Sequence, residues 1–222
     1  MRTKTLLLTA ALSAAGIATS MAQVYSQNAV GYINLSLTPG FNLIANQLAQ
    51  PAGGYTLNAL IPNPPPGSSV YRFSGGVFAT YTFDDADLIW TPNGTATLDL
   101  GKGFWIQVPS AYTLTFVGEV PQNTLTTPTP TGFNLVASQV PQAGPVSQVN
   151  GTSAPGDGTL ALNPGPGDLL YKYAGGVFST FTFDDADLIW TPSVPSISVG
   201  EAFWLLRAPG NPANWTRTFN VN

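Results

Sequence analysis

The chain has 222 residues, of which 7 are Lys or Arg and 11 are Asp or Glu, with no His, no Cys, 23 Gly and 20 Pro. Charged residues make up 8% of it, against about 25% in an ordinary soluble domain, so no positive surplus exists to neutralise nucleic-acid phosphates. Without His and Cys, a Ser-His-Asp triad, thiol chemistry and zinc sites built on those ligands are excluded, and so much Gly and Pro argues against a helical bundle.

In chain order, residues 1–22 read as a secretory signal peptide. Arg2 and Lys4 form a positive start, Leu6 to Ile17 is an uncharged, mostly apolar stretch, and Ser20 and Ala22 are the small residues a signal peptidase requires. The apolar stretch falls short of the roughly 20 residues that span a bilayer, and no later segment is apolar enough for a second anchor. The expectation is an exported protein, extracellular, at the cell surface or in the periplasm, with no membrane span after cleavage. Removing Arg2 and Lys4 leaves 5 cations against 11 anions, a net charge of −6. A mature chain of about 200 residues buries roughly 70% of its unfolded surface and needs no disulfide staples.

The mature chain states its main phrase twice. Tyr71 to Pro92 reads YRFSGGVFATYTFDDADLIWTP and Tyr171 to Pro192 reads YKYAGGVFSTFTFDDADLIWTP, an offset of 100 residues with five differences. Upstream, Gly40 to Ala45 answers Gly132 to Ala137, and downstream Gly101 to Trp105 answers Gly200 to Trp204. The expected division is repeat 1 over 23–120, a Thr/Pro-rich linker over 121–131, and repeat 2 over 132–222. The extra residues of the second copy fall in the Gly/Pro/Ser-rich stretch Ala143 to Gly167, which reads as a loop.

Each copy is a run of short strands, which predicts an all-β fold of two tandem β-sandwich-like repeats of antiparallel hairpins. Phe41 to Leu48 and Phe133 to Val140 carry branched and aromatic residues suited to a pleated surface. Val70 to Phe83 is a hairpin around Gly75-Gly76, a two-residue turn that accepts positive φ at both positions. That turn sets Phe73 opposite Phe78 and Tyr71 opposite Thr80, with Tyr173 and Phe178 repeating the arrangement. A second hairpin is expected from Phe104–Val108 through Pro109–Ala111 to Tyr112–Val117. The one helical expectation is a short turn near Thr56 to Ile61.

The order NAVGYINLSL, GFNLIANQL, hairpin, DLIWTP, GKGFWIQV, TLTFVGEV resembles a family of exported β-repeat proteins from environmental Gram-negative bacteria with a GFNLIA…GxGFW pattern. The resemblance covers essentially the whole mature chain and implies an exported β-sandwich-like domain. It carries over no catalytic or binding residues.

The residues that could carry chemistry are few. Asp84, Asp85 and Asp87, with their copies Asp184, Asp185 and Asp187, set three carboxylates within four residues, and a hard cation such as calcium takes six to eight oxygen ligands. The spacing lacks the Gly and closing Glu of an EF-hand loop, and the competing reading is a solvated turn whose Asp caps backbone N–H groups. The same pairs could serve glycoside hydrolysis, although the Asp-Thr-Gly signature of aspartic proteases is absent. Trp90, Trp190, Trp105 and Trp204 are the ligand candidates, because exposed indoles stack on the C–H faces of sugars; burial in the core is the competing account. Gly101-Lys102-Gly103 is no phosphate loop, since no P-loop spacing follows and Glu201 replaces Lys102 in the second copy. Arg72 and Lys172, at matching positions, are expected to cover an aromatic ring or pair with an Asp.

The leading expectation is an exported, non-enzymatic structural or adhesive protein needing no cofactor unless calcium binds. Its partners would be itself or other surface proteins through sheet edges or the strand around Val24 to Leu37, and glycans. A carbohydrate-binding module and an Asp-dependent hydrolase are the alternatives.

Overall fold

The computed structural model describes residues 29–50, 54–154 and 156–221; the signal-peptide reading of residues 1–22 lies outside them. Short alternating segments separated by Gly, Pro and Asp turns form strands, as the period of two requires. The first half runs β1 (Val30–Leu37), β2 (Gly40–Ile44), α1 (Leu57–Leu60), β3 (Ser69–Ser74), β4 (Val77–Phe83), β5 (Trp90–Thr91), β6 (Phe104–Val108) and β7 (Tyr112–Glu119). The second runs β8 (Asn123–Pro128), β9 (Gly132–Val136), β10 (Gly144–Pro145), β11 (Leu169–Ala174), β12 (Val177–Phe183), β13 (Trp190–Thr191), β14 (Ser196–Ile197), β15 (Phe203–Arg207) and β16 (Asn214–Phe219). Each half combines a five-stranded antiparallel sheet, ordered β2-β6-β3-β4-β5 or β9-β15-β11-β12-β13, with a two-stranded ribbon, β1-β7 or β8-β16. The expected all-β fold of two similar halves is what the chain adopts.

Local chemistry accounts for the elements that the sequence marks most strongly. Gly75 and Gly76 take φ of 59° and 83°, left-handed values that favour glycine. The turn they make sets Phe73 opposite Phe78 and Tyr71 opposite Thr80, and the second copy repeats the register with Tyr173 and Phe178. The one helix among the described residues, α1, starts at Thr56, whose Oγ1 accepts a 3.3 Å hydrogen bond from the Ala59 N–H.

Two expectations are corrected. β6 and β7 do not pair with each other: β6 lies between β2 and β3, and β7 pairs along its length with β1. Both hydrogen-bonding edges of β6 are taken, so Pro109–Ala111 carries the chain from sheet to ribbon. Phe104, Ile106 and Val108 then face Leu114 and Phe116 across the core. The segment 121–131 is not merely a linker either, because it contains β8, which pairs with β16 from Asn123↔Phe219 to Pro128↔Asn214. A run of Thr and Pro hides this strand, whose Pro128 stands at its end, where a missing N–H costs least.

Each half has its own core between sheet and ribbon. In the first, Ile33, Leu37, Leu114 and Phe116 of the ribbon meet Val70, Phe83, Phe104 and Ile106 of the sheet, closed by Leu57, Leu60 and Ile61. In the second, Val146, Leu160 and Leu162 from the long stretch after β9 take the place of the helix. That stretch, expected to be loop, is irregular apart from β10 but supplies core residues. The halves meet through a third cluster, Leu43, Ala45, Leu135, Ala137 and Ala202.

This contact is reciprocal, as in an isologous dimer. Ala45 N–H donates to the Gly200 carbonyl at 2.9 Å and Ala137 N–H to the Gly101 carbonyl at 3.1 Å. Likewise, Gly103 N–H reaches the Leu135 carbonyl at 3.1 Å and Ala202 N–H the Leu43 carbonyl at 3.5 Å. The duplicated chain thus folds as two half-bodies related by an approximate two-fold axis.

Candidate functional site

The sheet face turned away from each ribbon carries the site. Because side chains alternate, the strands that bury Val70, Phe104 and Ile106 in the core present Tyr71, Phe73 and Trp105 on the opposite face. Phe41 of β2 joins them, its ring centroid 6.0 Å from Trp105 and 5.7 Å from Tyr71. Phe133 repeats the placement, 6.0 Å from Trp204 and 6.2 Å from Tyr171.

Each hairpin then crosses the two-fold axis. Phe73 packs edge-on against Trp204 of the other half at 4.7 Å, and Tyr173 against Trp105 at 4.6 Å, both at 78° between ring planes. Such T-shaped pairs set a positive ring edge against a negative ring face and stabilise beyond the area they bury. The product is two aromatic clefts. Phe41, Tyr71, Phe78, Trp105 and the crossing Tyr173 line the first, of about 370 Å³. Phe133, Tyr171, Phe178, Trp204 and the crossing Phe73 line part of the second, a larger cleft of about 1120 Å³.

These rings are accessible although each is large and apolar. Phe41 and Phe78 are 47% and 50% exposed, and Phe133 and Phe178 are 55% and 51% exposed. Trp105 and Trp204 are half-buried, each with one ring edge held by its neighbours. A paired exposure of aromatic rings in a concave site is the geometry that stacks on planar or ring-shaped ligands.

The four tryptophans singled out from the sequence divide cleanly. Trp105 and Trp204 stand in the two clefts. Trp90 and Trp190 do not reach solvent, which corrects their expectation as ligand residues: they are 3% and 2% exposed, packed on Phe83 and Phe183 at 5.4 Å. Their indole N–H groups are spent inside, Trp90 on the Ile61 carbonyl and Trp190 on Ser147 Oγ, each at 2.9 Å. The sequence reasoning missed Phe41, Tyr71, Phe73 and Phe78 with their copies as site residues. Their signal was there, in repeated aromatics on the hairpin face opposite Val70, but the axis that gathers them is a tertiary feature.

The aspartates form turns. Asp84 Oδ1 accepts hydrogen bonds from the N–H groups of Ala86 and Asp87 at 2.8 and 2.9 Å, and Asp184 does the same for Ala186 and Asp187 at the same distances. These backbone donors hold both carboxyls below the usual carboxylate range. Among the described residues no three His, Cys, Asp or Glu side chains gather where they could hold a metal ion. Asp84, Asp85 and Asp87, and Asp184, Asp185 and Asp187, therefore do not make the converging calcium cage that their spacing suggested.

The cations at the cleft rims complete the electrostatics. Lys172 pairs with Glu201 Oε1 at 3.3 Å and donates to the Ser196 carbonyl, so its partner is a Glu from the adjoining strand segment, not an Asp. At the matching positions of the first half stand Arg72 and Lys102. Lys102 Nζ donates to the Pro128 carbonyl at 3.1 Å, while burial pushes its ammonium down from its ordinary range against the pull of Asp99. The Arg72 guanidinium makes no hydrogen bond or ion pair among the described residues.

No protein-family model, curated protein or solved structure matches this chain. Among the described residues no helix is long and apolar enough to cross a membrane.

Proposed function

We propose that this chain is an exported, non-enzymatic adhesive β-repeat protein of the bacterial cell surface or extracellular space, and that it adheres by binding glycans in its two aromatic clefts. The observation that carries the reading is the recurrence of five aromatic positions on both sides of the two-fold axis, with the outer phenylalanines about half exposed. Sugar rings offer flat C–H faces to such platforms, and hydrogen-bonding side chains fix their orientation. Gln107, which accepts a 3.1 Å hydrogen bond from the Tyr71 hydroxyl, is one such group beside the first cleft. Two clefts in one chain suit adhesion, because a second binding event on the same polymer is intramolecular.

The test is a glycan array followed by titration of the best hits, read by indole fluorescence and by calorimetry. Trp105 and Trp204 are the half-buried indoles, so ligand entry should perturb their emission. Phe41→Ala and Phe133→Ala, which remove exposed rings without opening the core, should each weaken one class of site, and the double variant should abolish binding. Silence of the array and of the fluorescence would sink this reading.

A further inference from the structure

The two clefts share their rings but not their charge. In the second half, Lys172 and Glu201 form an ion pair that cancels itself. The equivalent pair in the first half is Arg72 with Lys102, two cations, because the duplicated sequence carries Lys where the other copy carries Glu. Both cations line the 1120 Å³ cleft, and the only other charged residue among those lining it is Asp99. The cleft therefore keeps a net single positive charge in a chain that is otherwise acidic. On the opposite side of the axis, the groove beneath the second hairpin is lined by Glu201 and by no other charged residue.

Two cations stand where the other half has an ion pair, and Asp99, the one carboxylate in the lining, offsets only one of them. Arg72 has no partner there, and Lys102 spends one bond on a backbone carbonyl. Guanidinium and ammonium groups placed beside aromatic rings can seat an anionic substituent by charge-assisted hydrogen bonds while the rings hold the body of the ligand. From this we infer that the large cleft takes an acidic sugar, a glycan residue bearing a carboxylate that Arg72 and Lys102 receive while its ring stacks against the Phe133–Trp204 platform. The inference rests on the reading of the clefts as glycan sites. It also distinguishes them: the smaller cleft, lined by aromatic residues and by no charged one, takes uncharged sugar.

The experiment compares the mature protein with its Lys102→Glu and Arg72→Ala variants, titrated with an oligogalacturonate and with an uncharged oligosaccharide of similar length. Lys102→Glu gives the first half the pair that the second half already tolerates, so the fold is expected to survive. One lost charge-assisted contact should weaken oligogalacturonate binding about tenfold or more, with the uncharged probe unaffected. Oligogalacturonate affinity of the parent should also fall with added salt. Binding of the uncharged probe alone, or oligogalacturonate binding that ignores Lys102→Glu and Arg72→Ala, would overturn the acidic-sugar inference and leave the aromatic clefts standing. Binding of neither probe, with both indoles unperturbed, would overturn the inference and count against the glycan reading as well.

Discussion

The two halves solve the same problem at one buried position in opposite ways. In the first, Ser68 and Val108 stand where the second has Asp168 and Arg207. Ser68 is buried and donates its hydroxyl to the Pro65 carbonyl at 2.6 Å, and Val108 simply fills the core. In the second half, Arg207 Nη1 meets Asp168 Oδ2 at 2.6 Å with both side chains essentially out of water. Asp168 also accepts from the N–H groups of Gly165 and Ala208 and from Asn211 Nδ2, and Arg207 reaches the Asn163 carbonyl. The network ties the long loop before β11 to the chain after β15. One fold thus accepts either a small apolar solution or an ionic one, and the ionic one brings a buried Arg207 Nη2 without a partner.

That difference can be broken directly. Asp168→Ala strands a buried guanidinium and should cost about 3–5 kcal/mol, read as a lower midpoint in urea unfolding. The double variant Asp168→Ser with Arg207→Val imports the solution of the first half and should recover most of the loss, since a paired charge replaced by apolar packing is often neutral or better. A double variant as unstable as the single one would mean that the long loop needs the ion pair for its placement.

The next difference lies on the axis itself. Gly103 and Ala202 are equivalent, and a Cβ added to Gly103 would stand 2.6 Å from the Ala202 Cβ and 3.1 Å from Leu135 Cγ. One side of the axis can carry a methyl only because the other does not. Gly103→Ala should therefore destabilise by about 1–3 kcal/mol through overpacking, and Gly103→Ala with Ala202→Gly should restore stability by moving the methyl across. Thermal melts of the three variants measure this, and failure of the swap to rescue would show that the axis is less symmetric than the hydrogen bonds make it.

The smallest effect separates the halves by pH. Asp157, in the loop that only the second half has, accepts from the Ala154 and Thr159 N–H groups at 2.7 and 2.8 Å, which lowers its carboxyl to about 2 from the ordinary 3.8. A carboxyl depressed on folding adds stability that is present above the unfolded value and lost as pH falls through the folded one. Asp84 and Asp184 are shifted the same way, one in each half. The melting temperature should thus decline as pH falls from 3.8 toward about 2, and Asp157→Asn should make that decline shallower. An unchanged acid profile in Asp157→Asn would remove the loop carboxyl from the account.

Much of this molecule is legible in the residues alone. Duplicated phrases announced two halves, Gly-Gly set the register of both hairpins, and the expected turn near Thr56 to Ile61 holds the one helix among the described residues, because turns and a period of two are local chemistry. β8 was hidden, since Thr and Pro describe a linker as readily as an edge strand. β6 and β7 were mispaired, since a short Pro-containing connection joins strands of one sheet or of two packed layers, and only the supply of free hydrogen-bonding edges decides between them.

The clefts show the same division. Sequence by itself determined that aromatics repeat on the hairpin face and that two of five tryptophans follow Phe in a strand. It also determined that Lys102 faces a Glu in its copy. Which rings reach solvent was decided by tertiary structure: the ribbon covers one face of each sheet, taking Trp90 and Trp190 inside, and the axis brings Phe73 to Trp204 and Tyr173 to Trp105. Local rules act over a few residues of chain, whereas these contacts span about a hundred, and only the packing of one half against the other brings their partners together.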